Sequence, residues 1–402
     1  MRAIKHTISI DEARELLVSH VRPITRTELV PLAHAAGRIA SSDVMADVFV
    51  PPFSRSAMDG YAVIAADTAG ASPHTPVTLP ITERVFTGNT PIHGISGGEC
   101  SEIATGAPLP DGSDAVVMFE ETRRVDDSHV EILAAASPGQ NIGRRGADIK
   151  PGDLVVRRGD LLNPSRLGAV AAVGVDAVEV FAQPRVAILS TGNEIVEPGQ
   201  RLSGGQIYDV NRFTLSAVVS SHGCLAESYA PVRDTIESLE DALAMCDDAD
   251  VMIFSGGSSV GERDLIVDLI DRRGEVVFHG IAVKPGKPTL FATIDGIPFF
   301  GMPGNPTSCL SNAYILLVPF LRATARLPLY APRTVRATLG KRIVSQAGRH
   351  QFYTVRLRDN VAVPAFKGSG DITSLSQADG YIEIPADQST VEEGVPVDVT
   401  LF

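Results

Sequence analysis

The sequence predicts an α/β multidomain protein whose centre is a three-layer α/β sandwich, with β-rich parts on either side. Three observations carry this. Between Val186 and Leu321, short apolar runs alternate with stretches of helical apolar spacing, the pattern of a mainly parallel sheet covered by helices on both faces. From Tyr61 to about Val130 the apolar runs are short and punctuated by Gly, Pro and Asp clusters, a β pattern. Beyond Leu329 the pattern is again all-β. It closes on Val395, Val397, Val399 and Leu401 alternating with Pro396, Asp398 and Thr400, a strand with one buried face.

Taken in order, Ser9-Ile10-Asp11-Glu12 is a capping box, and the helix it starts carries Ala13, Leu16, Leu17 and Val21 on one side. A short helix is expected over Leu32–Ala36, stopped by Gly37. Pro51 to Ala62 is a proline-stiffened loop, in which Asp59 reads locally as a turn or N-cap aspartate. Within the first β region, Thr105-Gly106-Ala107-Pro108 is a loop, and Asn141 to Asp148 packs two arginines and an aspartate among glycines. Asn163 caps a helix with Pro164 at its first position, running to Gly174.

In the central part Val186–Leu189 is a buried strand ending in Ser190-Thr191-Gly192-Asn193-Glu194. Asn211–Gly223 is helical, Ser228–Val232 a strand ending in Arg233-Asp234, and Thr235–Cys246 an amphipathic helix. Val251–Phe254 then breaks into Ser255-Gly256-Gly257-Ser258-Ser259-Val260-Gly261, followed by Asp264 and the helical spacing of Leu265, Ile266, Leu269 and Ile270. Lys284-Pro285-Gly286-Lys287-Pro288 sets two ammonium groups on a stiff turn. Gly301 to Ser308 follows another apolar run and opens the helix Leu310–Phe320. In the last part Phe352–Leu357 and Val361–Phe366 flank Asp359-Asn360 as a hairpin. Between them and the terminal strand, Lys367 to Asp371 is a Gly/Ser loop with a cation.

Composition bounds the chemistry. At 402 residues the chain has room for roughly two to four domains. A net charge of −13 argues against nucleic acid or an anionic membrane as partner, so an anionic ligand needs a locally cationic pocket, which Lys284 and Lys287 could supply. The 4 cysteines are scattered without a Cys-x-x-Cys pair, which fits a reducing compartment and indicates no zinc or iron–sulfur ligation. No apolar run approaches the ~20 residues of a membrane helix, and the first residues lack a signal peptide's apolar core, so a cytoplasmic protein is expected.

A lone Gly-Gly turn is more often ordinary strand-to-helix punctuation, and a lone Lys-Pro-Gly-Lys-Pro more often a solvated turn. Together in one α/β segment they read as anion-binding loops. Glycines point backbone N–H groups outward, serines add hydroxyl donors, and the loops, on adjacent βα turns, are expected along one edge of the sheet. The P-loop pattern does not occur there, which disfavours an ordinary P-loop kinase or ATPase. Glu194, Asp234 and Asp264 each follow a strand and could converge at that edge, where hard oxygen ligands suit Mg²⁺ beside phosphate.

Six ordered motifs, Ser56–Ala62, Thr105–Pro108, Ser190–Glu194, Ser255–Asp264, Lys284–Pro288 and Gly301–Ser308, closely resemble those of the molybdopterin molybdenumtransferases, a family that includes the gephyrin E domain. The resemblance covers nearly the whole chain. It implies an elongated N-terminal dimerisation domain from 1–50 and 140–180, an inserted mainly-β domain at 51–139, a molybdopterin-binding-type α/β domain at 181–328 and a C-terminal β barrel at 329–402. It also implies a homodimer with shared sites, in which Asp59, Thr105 and Asp148 reach the site in trans. The same resemblance puts Glu194, Asp234 and Asp264 in catalytic roles with Asp59 and Asp148, with Glu194 and Asp264 as metal ligands. Substrate binding falls to Thr105, Thr191, Gly192, Ser255, Gly256, Gly257, Ser258, Lys284, Lys287, Pro303, Asn305, Ser308 and Ser369.

The implied reaction is insertion of molybdate into adenylylated molybdopterin, with Mg²⁺-dependent hydrolysis of the adenylate and release of AMP. Positioning and charge neutralisation dominate such chemistry, so the lack of a Ser-His-Asp or Cys-His signature is in keeping with it. Tungstate in place of molybdate, and a non-catalytic scaffold like the gephyrin E domain, are the rival readings. The adenylylating enzyme of the same pathway is an implied partner. Two positions depart from the family pattern: Gly280 and Thr354 stand where basic residues are expected, with Arg349 and Arg356 close to the second.

Overall fold

The computed structural model describes residues 7–256, 265–345 and 347–402. They divide into two compact units. One comprises Leu29–Ala36 and Ala40–Glu179; the other comprises Met1–Glu28, Gly37–Ile39 and Val180–Phe402. Helix α1 (Ile10–Ser19) starts where Ser9 accepts the Glu12 N–H at 3.1 Å, and it buries Ile10, Ala13 and Leu17. The helix expected at Leu32–Ala36 is only a 3₁₀ turn, Leu32–His34. Five residues between Pro31 and Gly37 are too few to repay the cost of nucleating an α-helix.

The smaller unit is built on a six-stranded sheet. Its strands are β1 (Gly60–Val63), β2 (Val77–Val85), β3 (Cys100–Ile103), β4 (Ala115–Met118), β5 (Thr122–Arg124) and β6 (His129–Ile132), in the order β4-β1-β3-β2-β6-β5. Alternation along the strands sends Tyr61, Val63, Val117 and Val130 to one core and Ala62, Val116 and Ile103 to another. Helix α2 (Pro164–Ala172) begins as expected, with Asn163 accepting from the Arg166 N–H at 2.9 Å.

The larger unit holds the α/β sandwich. In chain order it contains β7 (Arg185–Ser190), α3 (Asn211–Ser221), β8 (Leu225–Ser228), α4 (Ile236–Ala244), β9 (Val251–Ser255), α5 (Leu265–Arg273), β10 (Gly274–His279), β11 (Val283–Lys284), β12 (Leu290–Ile294), β13 (Ile297–Met302), α6 (Pro306–Asn312) and α7 (Val318–Thr324). The sheet order is β8-β7-β9-β13-β12-β10, with β8, β7, β9 and β13 parallel and β12 antiparallel to both its neighbours. Its central strands β9 and β13 are almost wholly apolar and buried because both faces are covered, whereas the edge strands β8 and β10 carry Glu227 and Glu275. Val186, Ile188, Val251, Ile253 and Phe300 pack under α1, α3, α6 and α7; Ala187, Leu189, Met252, Phe254 and Phe299 pack under α4 and α5.

Two details differ from expectation. The edge strand β8 ends at Ser228, because Pro231 has no N–H for the ladder and only Val232 rejoins it, bridging Thr191. The helix after Gly301–Ser308 is broken into α6, a π-helical turn at Ala313–Leu317, and α7. Pro319 supplies no N–H and its ring crowds the carbonyl one turn back, so the run widens just before it.

The last part is a closed barrel of β14 (Thr334–Leu339), β15 (His350–Arg358), β16 (Val361–Pro364), β17 (Gly380–Ile384) and β18 (Pro396–Leu401). The order β15-β16-β14-β18-β17 closes by β17 pairing back to β15, and β11 adds to β15 from outside. Asp359 and Asn360, with φ of 46° and 65°, make the hairpin turn between β15 and β16 that their residue types predict.

Candidate active site

Strand register brings the motif loops of the larger unit to one edge. Ser190, Ser255 and Met302, the last residues of β7, β9 and β13, lie opposite one another, so Thr191, Gly256 and Pro303 open three adjacent loops. Thr191 N–H donates to the Ser255 carbonyl at 2.8 Å, and Gly192 N–H to the Val232 carbonyl at 3.2 Å. Gly256 has φ of 98°, and a side chain there would meet the Thr191 carbonyl oxygen at 2.1 Å. Only glycine fits that crossing. The expected turn residues Gly257, Ser258 and Asp264 lie outside the described residues.

The Lys284–Pro288 loop is a correction to the expected βα turns. It lies between β10 and β12, which are antiparallel, yet it emerges at the same edge, because β10 ends there and Leu290 of β12 pairs with Gly301 of β13. Lys284 and Lys287 are half-buried, and neither pairs with a carboxylate among the described residues. On the neighbouring loop, Asn305 donates to the Ser369 hydroxyl at 3.2 Å and Thr307 N–H to the Ser369 carbonyl at 3.1 Å. Ser308 is buried at the start of α6. The barrel loop is thereby tied to the sandwich loop.

Glu194 and Asp234 share this edge. The Asp234 carboxyl is pushed up from its ordinary value, first by burial and then by the charge of Glu194. The Thr191 hydroxyl opposes the shift but makes no hydrogen bond of ordinary geometry. A half-buried carboxyl whose ionisation is opposed by a neighbouring carboxylate belongs to a donor set that a hard divalent cation relieves, so these residues fit Mg²⁺. Among the described residues no cluster of three or more metal-ligating side chains occurs.

In the smaller unit three loops are knitted together. Asp59 accepts the Thr105 N–H at 2.7 Å, Gly106 N–H donates to the Ser56 carbonyl at 2.8 Å, and Ser56 pairs with Ile142. Asp59 therefore sets the Thr105 loop rather than capping a helix. Asp148 is exposed beyond the same pairing, held through its N–H on the Val50 carbonyl at 3.0 Å.

Comparison with known proteins decides the family. Three family models match in order: the MoeA N-terminal region (domain I and II) over residues 8–174, the "Probable molybdopterin binding domain" over 187–323, and the MoeA C-terminal region (domain IV) over 336–402. A molybdopterin molybdenumtransferase of Haemophilus influenzae is 32% identical, covering 98% of each chain. The chain belongs to the molybdopterin molybdenumtransferase family. Molybdopterin molybdenumtransferase 2 of Mycobacterium tuberculosis is 36% identical, over 94% of this chain and 95% of its own. The crystal structure of a molybdopterin biosynthesis MoeA protein from Pyrococcus horikoshii matches with a TM-score of 0.85 at 40% identity, over 98% of this chain and 99% of that one. Like its relatives, this molybdenumtransferase is an enzyme of molybdenum cofactor biosynthesis.

The departures from the family pattern have structural causes. Gly280 sits at φ of 101°, a backbone region that a basic side chain would strain. Thr354 is buried on the face of its strand opposite the barrel-core side chains of Tyr353, Val355 and Leu357, while Arg356 is engaged by the Gln377 carbonyl and side chain. Neither offers a free cation. Sequence reasoning also missed a buried polar layer under the loops. Ser190 donates to Asp209 at 2.8 Å and lies 3.2 Å from the Ser255 hydroxyl. Arg212 holds Asp209 at 3.4 Å, Glu197 at 2.9 Å and the Tyr229 carbonyl at 2.9 Å, and Asn211 donates to the Gly304 carbonyl at 2.8 Å. The one signal available was the polar cluster Asp209, Asn211 and Arg212 opening a helix that is otherwise uncharged. No cysteine is a nucleophile candidate: burial pushes Cys246 to about 11, Cys100 and Cys224 to about 12, and Cys309 higher still.

Proposed function

We propose that the enzyme inserts molybdate into adenylylated molybdopterin, with Mg²⁺-dependent hydrolysis of the phosphoric anhydride and release of AMP. The observation that carries this is the cation pair Lys284 and Lys287, without a carboxylate partner among the described residues, on the same sheet edge as the Glu194–Asp234 carboxylates and the Gly256 turn. An oxyanion, a divalent cation and a phosphate each find their complement there. Lys284 and Lys287 with Ser308 bind and orient the oxyanion. Thr191, Gly192, Ser255, Gly256, Pro303, Asn305 and Ser369, together with Gly257 and Ser258, line the pterin and phosphate path. Glu194 and Asp264 would hold Mg²⁺, with Asp234 beside Glu194; the ion supplies neutralisation of charge developing on the phosphates. Water attacks phosphorus, the anhydride P–O bond breaks, and the oxygen leaves with AMP. The enzyme works as a homodimer in which Asp59, Thr105 and Asp148 serve the partner's site. It receives its substrate from the adenylylating enzyme of the pathway.

Incubation with adenylylated molybdopterin, Mg²⁺ and either molybdate or tungstate tests the reading. AMP release coupled to metal retained on the pterin is expected with molybdate. Equal coupling with tungstate would reassign the metal, and no AMP at all would leave a scaffold.

A further inference from the structure

Asn312 is fully buried where α6 gives way to the π-helical turn, and no motif marks it. Its side-chain amide donates to the Gly286 carbonyl at 2.9 Å and to the Thr289 hydroxyl at 2.5 Å. Thr289 in turn donates to the Gly286 carbonyl at 3.0 Å. Gly286 has φ of 104°, and a methyl group on it would lie 2.2 Å from the Asn312 nitrogen. Gly286 lies between the two lysines, and the Ile281 N–H closes the base of the loop on the Lys287 carbonyl at 2.9 Å. The apex of the lysine turn therefore rests directly on one amide.

Stability alone is a poor reason for this residue. The Asn312 carbonyl oxygen has no hydrogen-bond partner among the described residues, and an orphaned buried acceptor costs about 1–3 kcal/mol. An apolar side chain of the same volume would avoid that cost. What it could not do is hold the Gly286 peptide, and with it the spacing of the two ammonium groups. We propose that Asn312 is a positioning residue for the oxyanion site, acting through the Lys284–Lys287 turn. This rests on the reading of that turn as the oxyanion site.

The test titrates molybdate and, separately, AMP into wild type, Asn312→Leu, Lys287→Ala and the double variant, with melting temperatures alongside. Asn312→Leu is expected to weaken molybdate binding about tenfold while AMP binding and melting temperature hold. The double variant should bind molybdate within about twofold of Lys287→Ala, because a residue acting through the lysine turn has nothing left to position. Wild-type molybdate affinity in Asn312→Leu overturns the inference, as does equal weakening of molybdate and AMP with a lower melting temperature. Unchanged molybdate binding in Lys287→Ala would sink the oxyanion reading itself, a different failure. Should Asn312→Leu not fold, Thr289→Val removes the second donor to Gly286 and must weaken molybdate in the same selective way.

Discussion

At the scale of single residues, the balance of charge at the sheet edge makes opposite predictions for stability and function. Asp234 holds its proton more tightly in the fold than its ordinary value of 3.8, so the folded state binds more protons and stability falls as pH rises through that range. At neutral pH the whole penalty is present. Asp234→Asn should raise the melting temperature at pH 7, lose that advantage under acid conditions, and lose AMP release. Mg²⁺ should raise the melting temperature of the wild type but much less that of the variant. A variant no more stable than wild type at pH 7 would mean that the carboxylate is already compensated. Asp264 invites the sharper substitution. As a helix cap it would tolerate Asn, whereas as a metal ligand Asp264→Asn should cut AMP release by orders of magnitude with the fold intact. Near-normal turnover at ordinary Mg²⁺ would end the catalytic assignment.

Among the elements, the lysine turn and the helix behind it carry the expected anion selectivity. Lys284 belongs to β11, which pairs with barrel strand β15, while Lys287 sits at the start of the approach to β12. The turn is thus anchored to both sheets. Lys287→Ala should weaken molybdate by at least about tenfold and leave AMP binding intact. Raising salt should weaken molybdate in the wild type, since part of the attraction is screened over a Debye length of about 8 Å at physiological ionic strength. Salt-independent binding in the wild type would point to hydrogen bonds rather than charge. The Gly256 crossing makes a separate prediction. Gly256→Ala must move the Thr191 peptide, at a cost on the order of 1–3 kcal/mol, readable in chemical unfolding.

For the whole molecule, the catalytic candidates fall in two compact units, Asp59 in one and Asp234 in the other. If each site draws on both subunits of a homodimer, two dead variants can rescue each other. Asp59→Asn mixed with Asp264→Asn should recover up to about a quarter of wild-type activity, since half the dimers are mixed and each of those has one intact site. Inactive mixtures in which heterodimers are shown to form would return Asp59 to its own protomer's site.

The local pattern of residues was enough to locate strands, caps and turns, because period-2 apolar runs, Asn163 before Pro164, and Asp359-Asn360 act through the few residues around them. It was enough, too, to pick out the glycine, lysine and carboxylate loops as candidates, since their chemistry is written in side-chain type. Register was not legible. That Ser190, Ser255 and Met302 end level is a property of three strands distant in the chain, and it alone brings their loops to one edge. Nor could the pattern show Asp209, Arg212 or Asn312, polar residues that look ordinary until packing buries them. Asp209 meets Ser190 from 19 residues away and Asn312 meets Gly286 from 26, so only the tertiary structure decides what such a buried carboxylate or amide holds in place.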